Sequence, residues 1–254
     1  MDKNEEKLFI EALYDEYSLS LKSMMSGILK NGQKSEKALL RTFLKIVKYR
    51  HLFYDDNVDA SRLIVLFARG SCFNYIRKEK HLDYSEKKLF PNGIPSVKNK
   101  SCESVLAELL KKANLKWLKE TIFSFGSPFK EIAVMKFYYA METSAVADIL
   151  GLKQAEVNNI LCKWLVKLKV ETEYKLQRNI DTAELGVAVG LVGGELSEDY
   201  RKKLDTYSVS EVSISPKIKK TVLNTLFIRQ NRVLVFSSIV FFLCLIAVIL
   251  FLVF

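Results

Sequence analysis

The chain has 254 residues, enough for one large or two small domains. Its net charge of +10 suits a polyanionic partner such as nucleic acid or an anionic membrane surface, although many basic chains are merely soluble. The four cysteines form no CxxC pair and the two histidines lie far from any ligand cluster, which argues against a disulfide framework or a metal site. A Gly-rich phosphate loop and a nucleophile elbow are both missing from the sequence, so nothing predicts an enzyme, a catalytic residue or a cofactor.

Apolar residues recur at helical spacing through most of the chain, which predicts an all-α fold. A first domain at 1–80 contains three predicted helices. The first runs from Leu8 to Leu29 and is ended by Asn31-Gly32, and the second is capped by Ser35 and runs to about Tyr49. The third runs from about Asp59 to Glu79.

The helical pattern stops at 81–101, where Pro91, Gly93, Pro95 and several lysines predict a flexible linker. A second helical domain is predicted at 102–177, with one break at Gly126 and Pro128. The fold expected from this order is two helical domains joined by a linker.

The segment 178–231 has a mixed pattern from Gly186 to Ile214, followed by a last helix from Pro216 to about Phe227. The run from Val233 to Phe254 contains no charge and would span roughly 33 Å as a helix, close to a bilayer core. We therefore predict a transmembrane helix at 232–254, and the alternative is a buried C-terminal helix in a soluble core.

Basic residues just before this run predict the orientation. Arg229 and Arg232 precede the apolar segment, so the positive-inside bias places the N-terminal domains in the cytoplasm. The expected location is the inner (cytoplasmic) membrane, crossed once.

The stretch AVADILGLKQAEVNNIL, Ala145 to Leu161, has the pattern of a helix-turn-helix. Gly151 permits a left-handed turn between two short amphipathic helices. The second helix has a buried face formed by Val157, Ile160, Leu161, Trp164, Leu165 and Leu168. Its outer face carries Gln and Asn near the N-terminus, which suits adenine edges in a major groove. The alternative is an ordinary helical hairpin that packs on another surface.

This stretch resembles the region-four helix-turn-helix of the extracytoplasmic-function sigma factors, and the preceding PFKEIAVMKFYYAMETS resembles the segment before it. In the first domain, LYDEY, TFLKIVK and ARGSCFNYIRK resemble motifs of the family's opening and of its region two. The resemblance covers roughly residues 8 to 176, and the motifs stand in the family's order.

The resemblance implies a bacterial transcription initiation factor with a region-two bundle that opens the −10 element and a region-four domain that reads the −35 element. Carried over by position, the DNA-binding residues would be Arg69, Asn74, Tyr75, Arg77, Lys78, Lys153, Gln154, Asn158, Asn159 and Lys163. The polymerase-binding residues would be Lys37, Leu40, Arg41 and Lys45. The implied partners are core RNA polymerase, promoter DNA and the membrane, with an anti-sigma factor or a protease as a further partner.

Several positions depart from the family pattern. In the polymerase-binding run, Lys37 stands at the usual Asp, Leu40 at the usual Gln and Arg41 at a usual acidic residue. In the second half, Lys153 stands where a Ser cap is usual, and Glu156 near the helix start is expected to repel DNA. Together with Ile160 in place of a usual Arg, these changes predict weaker or altered −35 binding.

The leading expectation is a membrane-tethered sigma factor that a signal releases or frees from inhibition. Segment 178–231 faintly resembles the part of anti-sigma factors next to the membrane, and the alternative is a spacer. Two other functions stay open. One is a degenerate sigma-like protein that sequesters a regulator at the membrane without initiating transcription, and the other is a tethered DNA-binding regulator that never contacts polymerase.

Overall fold

The computed structural model describes residues 2–55, 58–80, 109–207 and 212–232. All regular secondary structure in these ranges is helical, which confirms the predicted all-α class. The helices are α1 (Lys3–Leu29), α2 (Gly32–Lys48), α3 (Ala60–Glu79), α4 (Lys112–Ser124), α5 (Phe129–Ala133), α6 (Thr143–Leu150), α7 (Gln154–Leu176), α8 (Thr182–Leu204) and α9 (Pro216–Gln230). A 3-10 turn at Arg50–Phe53 and a π-helical turn at Val134–Tyr138 complete the described part.

Helices α1 to α3 form a first block, residues 2–80, whose helix starts are set by polar caps. Asp59 begins α3, as predicted, because its carboxylate accepts the backbone N–H groups of Ser61 and Arg62. The prediction that Ser35 caps α2 was wrong. Asn31 is the cap, since its side chain accepts the backbone N–H of Lys34.

The end of α1 also differs from the prediction. Lys30, with φ 50°, forms the left-handed cap, and its N–H donates to the carbonyl of Ser26. Asn31-Gly32 therefore begins α2 instead of ending α1. The two helices follow each other directly, which brings their apolar faces together around Phe43 and Met25, both of which are fully buried.

Helices α4 to α7 form a second block, residues 109–177, and this block packs on the first. One hydrophobic core continues through both, from Leu39 and Phe67 in the first block to Ile132 and Ile149 in the second. The predicted linker at 81–101 and the start of the predicted second domain at 102–108 lie outside the described residues.

Helix α8 was missed by the sequence pattern, which read as mixed from Gly186 onward. Its glycines lie where the helix passes close to the π-helical turn. A Cβ at Gly190 would lie 2.7 Å from the carbonyl oxygen of Phe137, and one at Gly194 would lie 2.8 Å from the ring of Tyr138. Glycine here permits close helix packing, which local sequence does not reveal.

Helix α8 also holds the two blocks from outside. Its Glu198 pairs with Arg62 of α3 at 2.8 Å, and its Asp199 pairs with Lys119 of α4 at 2.9 Å. The helix thus contacts α3 and α4 at the same level of the molecule. It is a structural part of the closed body and not an extended spacer.

Helix α9 begins at Pro216, as predicted, and packs on α1 and α2 through Ile218, Val222 and Leu226. Of the helices that the structure describes, none is both long and apolar enough to cross a bilayer. Residues 233–254, which make up nearly all of the predicted transmembrane helix, lie outside the described residues.

We predict that Gly190→Ala lowers the free energy of unfolding by about 1–3 kcal/mol, because the new methyl group would overlap the backbone at Phe137. Gly32→Ala is the matched control, since a Cβ there meets nothing within 4 Å. Urea unfolding followed by circular dichroism measures both variants. Equal stability of the two variants would contradict the close approach of α8.

Candidate nucleic-acid interface

The helix-turn-helix predicted at Ala145–Leu161 is present as α6, a turn and α7, which we call the hairpin. Gly151 ends α6 in the left-handed conformation, with φ 68°. Its N–H donates to the carbonyl of Asp148, and the N–H of Leu152 donates to the carbonyl of Ala147 at 2.8 Å. These bonds satisfy carbonyls at the end of α6, as in a glycine-terminated helix.

The hairpin has the buried and exposed faces that the sequence predicts. Val157, Ile160 and Leu161 are buried, and Trp164 and Leu165 are half-buried. The predicted DNA-reading residues of this half are all exposed, namely Lys153, Gln154, Asn158, Asn159 and Lys163. We call them the recognition face. Their side chains donate no hydrogen bond to another group in the described ranges, so the amides are open to an outside partner.

Glu156, which the sequence placed near the helix start as a source of repulsion, does not lie on the recognition face. It is 4 % exposed, and its carboxylate accepts the backbone N–H of Lys153 at 2.6 Å. The same carboxylate lies 3.7 Å from the guanidinium of Arg77. Glu156 therefore helps to cap the start of α7 where Lys153 has no acceptor of its own.

The predicted DNA-binding residues of the first block have a different environment. Asn74 is 5 % exposed. Its amide lies against the turn, so close to Gly151 that a Cβ at that position would overlap it. Arg77 donates to the carbonyl of Gly151 at 2.6 Å. Tyr75 is half-buried, and Lys78 is exposed at the end of α3.

Arg69 is the fifth of these residues and lies in a polar centre between three helices. Its guanidinium donates two hydrogen bonds to one carboxylate oxygen of Glu131, at 3.0 and 2.8 Å. Its Cζ also lies 4.1 Å from the ring centroid of Tyr200 in α8. Glu131 is 1 % exposed, so Arg69 neutralises a charge that would otherwise be buried alone.

The predicted polymerase-binding residues are spread over three environments. Lys37 is exposed, and Leu40 is half-buried beside the core. Arg41 has its Cζ 5.1 Å from the ring centroid of Tyr75. Lys45 is 8 % exposed, and its ammonium donates to the carbonyl of Ile149 at the end of α6. Lys45 thus contacts the hairpin in this arrangement.

Three residues near Lys45 were not predicted as functional, namely Lys48, Tyr49 and Asp148. Asp148 of α6 accepts a hydrogen bond from the ammonium of Lys48 at 2.7 Å and one from the hydroxyl of Tyr49 at 2.9 Å. Burial alone would raise the pKa of Asp148, but these two bonds outweigh it and lower the pKa below its ordinary value. Asp148 is the single acidic residue of α6, and it was the one sequence signal of this contact.

Together these contacts join the first block to the hairpin at its turn. We call them the clasp, made by Lys45, Lys48, Tyr49 and Arg77 on the first block and by Asp148, Ile149 and Gly151 on the hairpin. The clasp leaves the recognition face exposed. It holds two first-block residues against the hairpin: Asn74 is buried there, and the guanidinium of Arg77 is bonded to the carbonyl of Gly151.

No protein-family profile, curated protein or solved structure matches this chain. The resemblance to sigma factors therefore depends on the motifs of the sequence.

Lys45 makes the clasp sensitive to alkaline pH. Burial lowers its pKa from 10.5 to about 8, against the attraction of Asp148. Between pH 8 and 10.5, Lys45 is protonated in the unfolded chain and largely neutral in the folded one. The free energy of unfolding therefore rises with pH in this range, by at most about 1.4 kcal/mol per pH unit. We predict that the stability advantage of the wild type over Lys45→Met grows from pH 8 to 10.

Lys48→Met is the control for this measurement. The hydrogen bond from Lys48 to Asp148 outweighs desolvation and raises the pKa of Lys48, so this lysine stays charged in both states up to its ordinary pKa. Urea titrations across the pH range should give a constant difference for Lys48→Met. A constant difference for Lys45→Met would contradict the buried position of this ammonium.

Proposed function

We propose that the chain is a membrane-tethered transcription initiation factor of the sigma type, which directs RNA polymerase to promoters and is held inactive by the clasp. One observation carries this proposal. The recognition face is exposed on the second helix of a helix-turn-helix, while two of the first-block residues that the resemblance assigns to promoter opening, Asn74 and Arg77, are held against the hairpin turn.

The recognition face has the chemistry that base reading requires. Gln154 and Asn158 offer amides that can bond both N6 and N7 of adenine in a major groove. Lys153 and Lys163 lie on the same face, where an ammonium can neutralise a phosphate. With Glu156 buried, this face carries no acidic side chain from the first turn of α7.

The clasp gives the proposal its inhibited state. Asn74 is buried against the turn, and the guanidinium of Arg77 is bonded to the carbonyl of Gly151, so their release for DNA requires that the hairpin move away from α3. Polymerase that binds the separated blocks more tightly than the closed ones would shift the population toward the open form. The signal therefore acts on the balance between two arrangements of one chain.

The tether is the second part of the proposal. The uncharged run from Val233 to Phe254 would hold the chain at the inner face of the membrane, with its helical blocks in the cytoplasm. Cleavage between Gln177 and Arg232 would release the part that resembles a sigma factor. Depending on the site of the cut, α8 and α9 would leave with the released part or stay linked to the membrane run.

A second function is favoured by the internal bonds. Lys45, Arg69 and Arg77 all use their charges within the chain. A protein whose clasp never opens would present the recognition face alone and would act as a membrane-bound interaction protein that sequesters a regulator. It would bind a partner without starting transcription.

Promoter-directed initiation separates the two functions. The full chain in lipid nanodiscs is mixed with core RNA polymerase and a pool of random duplexes, and the bound DNA is sequenced and transcribed. A selected sequence that supports initiation favours the sigma-type function. Binding of polymerase without any initiation favours the sequestering protein, and binding of DNA without polymerase favours a tethered DNA-binding regulator.

We predict that Gln154→Ala and Asn158→Ala each weaken binding to the selected duplex by about 1–3 kcal/mol, because each removes a bond to a base edge. Val170→Ala is the control, since Val170 is exposed further along α7 and offers no polar group. Fluorescence anisotropy with labelled duplex measures the affinities. Equal binding by all three variants would show that α7 does not read the DNA.

We also predict that Tyr49→Phe raises initiation, by on the order of tenfold, because it removes a hydrogen bond to the carboxylate of Asp148 without changing any charge. Tyr174→Phe is the matched control, since Tyr174 is 80 % exposed. Run-off transcription at limiting polymerase gives the rates. A stable Tyr49→Phe variant with unchanged or lower initiation would contradict inhibition by the clasp.

A further inference from the structure

Helix α9 has two opposite faces of different character. One face is buried on α1 and α2 through Ile218, Val222 and Leu226. The outer face carries Lys220 and two large exposed apolar side chains, Phe227 at 62 % and Ile228 at 51 %. Phe227 and Ile228 are adjacent, and a contiguous exposed apolar patch marks a surface that contacts a protein or a membrane.

Charge along α9 is of one sign. From Pro216 to Arg232 the sequence contains lysines and arginines but neither aspartate nor glutamate. Lys219 is neutralised by Asp15 of α1 at 2.7 Å, whereas Lys217, Lys220 and Arg229 are exposed. The free charge on this helix is therefore positive.

The start of α1 extends the same surface. Helix α9 runs antiparallel to α1, because Lys219 meets Asp15 near one end and Gln230 donates to the carbonyl of Lys3 at 2.9 Å near the other. A groove of about 550 Å³ lies along the two helices and is lined by Lys7 and Phe227, among others. Leu8, the next residue to Lys7, is 64 % exposed.

The position of this surface in the chain identifies its partner. Helix α9 ends at Gln230, and the uncharged run begins at Val233, so Phe227 and Ile228 lie within six residues of that run. Exposed aromatic and aliphatic side chains flanked by lysines are the composition of a helix that lies in the headgroup region of an anionic bilayer. An acidic protein partner would match the lysines but not this proximity.

We propose that the outer face of α9, together with Leu8, is a second membrane contact that lies against the anionic bilayer surface. Phe227 and Ile228 enter the boundary between headgroups and acyl chains, and Lys217 and Lys220 bind lipid phosphates. The inference rests on the membrane tether of the proposed function and is independent of promoter binding. This contact fixes the orientation of the helical body relative to the membrane.

The test uses the full chain in vesicles of brominated phosphatidylcholine, with or without phosphatidylglycerol. A Phe227→Trp variant reports contact with lipid, because bromine quenches only a nearby indole, and Tyr174→Trp on α7 is the matched control. We expect strong quenching at position 227 that requires phosphatidylglycerol and falls at high salt. The control position should match the background from the native tryptophans in both lipids.

Charge removal and cross-linking complete the test. Lys217→Ala with Lys220→Ala should weaken the anionic-lipid contact by about 25-fold, at about fivefold per lysine. Quenching at position 227 no greater than at 174 would overturn the proposal, as would quenching that is equal with and without anionic lipid. Dimers formed by disulfide cross-linking of Ile228→Cys, in a background with Cys102, Cys162 and Cys244 replaced by serine, would show that a second copy covers the face and would also overturn it.

Vesicle flotation in alkaline carbonate separates this result from the tether itself. Chains that resist extraction are anchored by the tail whether or not α9 touches lipid. Chains that are extracted, yet show quenching at position 227 with anionic vesicles at neutral pH, have the α9 contact without the anchor. Failure of either part is therefore seen independently, and neither readout involves transcription.

Discussion

Backbone carbonyls at the C-terminal end of α6 are bonded by cationic side chains of the first block. The last carbonyls of a helix have no partner within it and carry the negative end of its dipole. Lys45 donates to the carbonyl of Ile149, and Arg77 donates to the carbonyl of Gly151. The two cations thus bond the unpaired carbonyls and also offset the negative end of the helix dipole. The left-handed conformation of Gly151 makes this approach possible, since a side chain there would overlap Asn74. The hairpin is thus held by its turn.

Holding the hairpin by its turn divides the candidate residues into two groups. The turn and the end of α6 face inward, and the first turns of α7 project away from the first block. Asn158 and Lys163 are consequently exposed, while Asn74 is buried against the turn. Under the proposed function, the chain would engage one element of a promoter before it opens another. Helix α8 ties α3 to α4 through ion pairs of Glu198 and Asp199, so it adds to the stability of the closed arrangement.

Local signals in the sequence predicted much of this fold, because helix periodicity, the Asp59 cap and Gly151 act within a few residues of themselves. The faces of α7 followed from the same periodicity. Helix α8 was missed because Gly190 costs helix stability locally, and its benefit comes from the close approach to Phe137. The clasp was missed for a related reason. Lys45 and Ile149 are far apart in the chain, and a lysine in a predicted polymerase-binding run gives no sign that its ammonium will be buried.

The separation of the blocks can be measured directly. Spin labels at Gln33→Cys in α2 and Val170→Cys in α7, with the native cysteines at 102, 162 and 244 replaced by serine, report the distance between the first block and the hairpin. Both positions are exposed and lie outside the clasp and the recognition face. We predict one narrow distance between the two spin labels in the free chain and a longer one when core polymerase and selected promoter DNA are added. An unchanged distance in a complex that initiates transcription would contradict it.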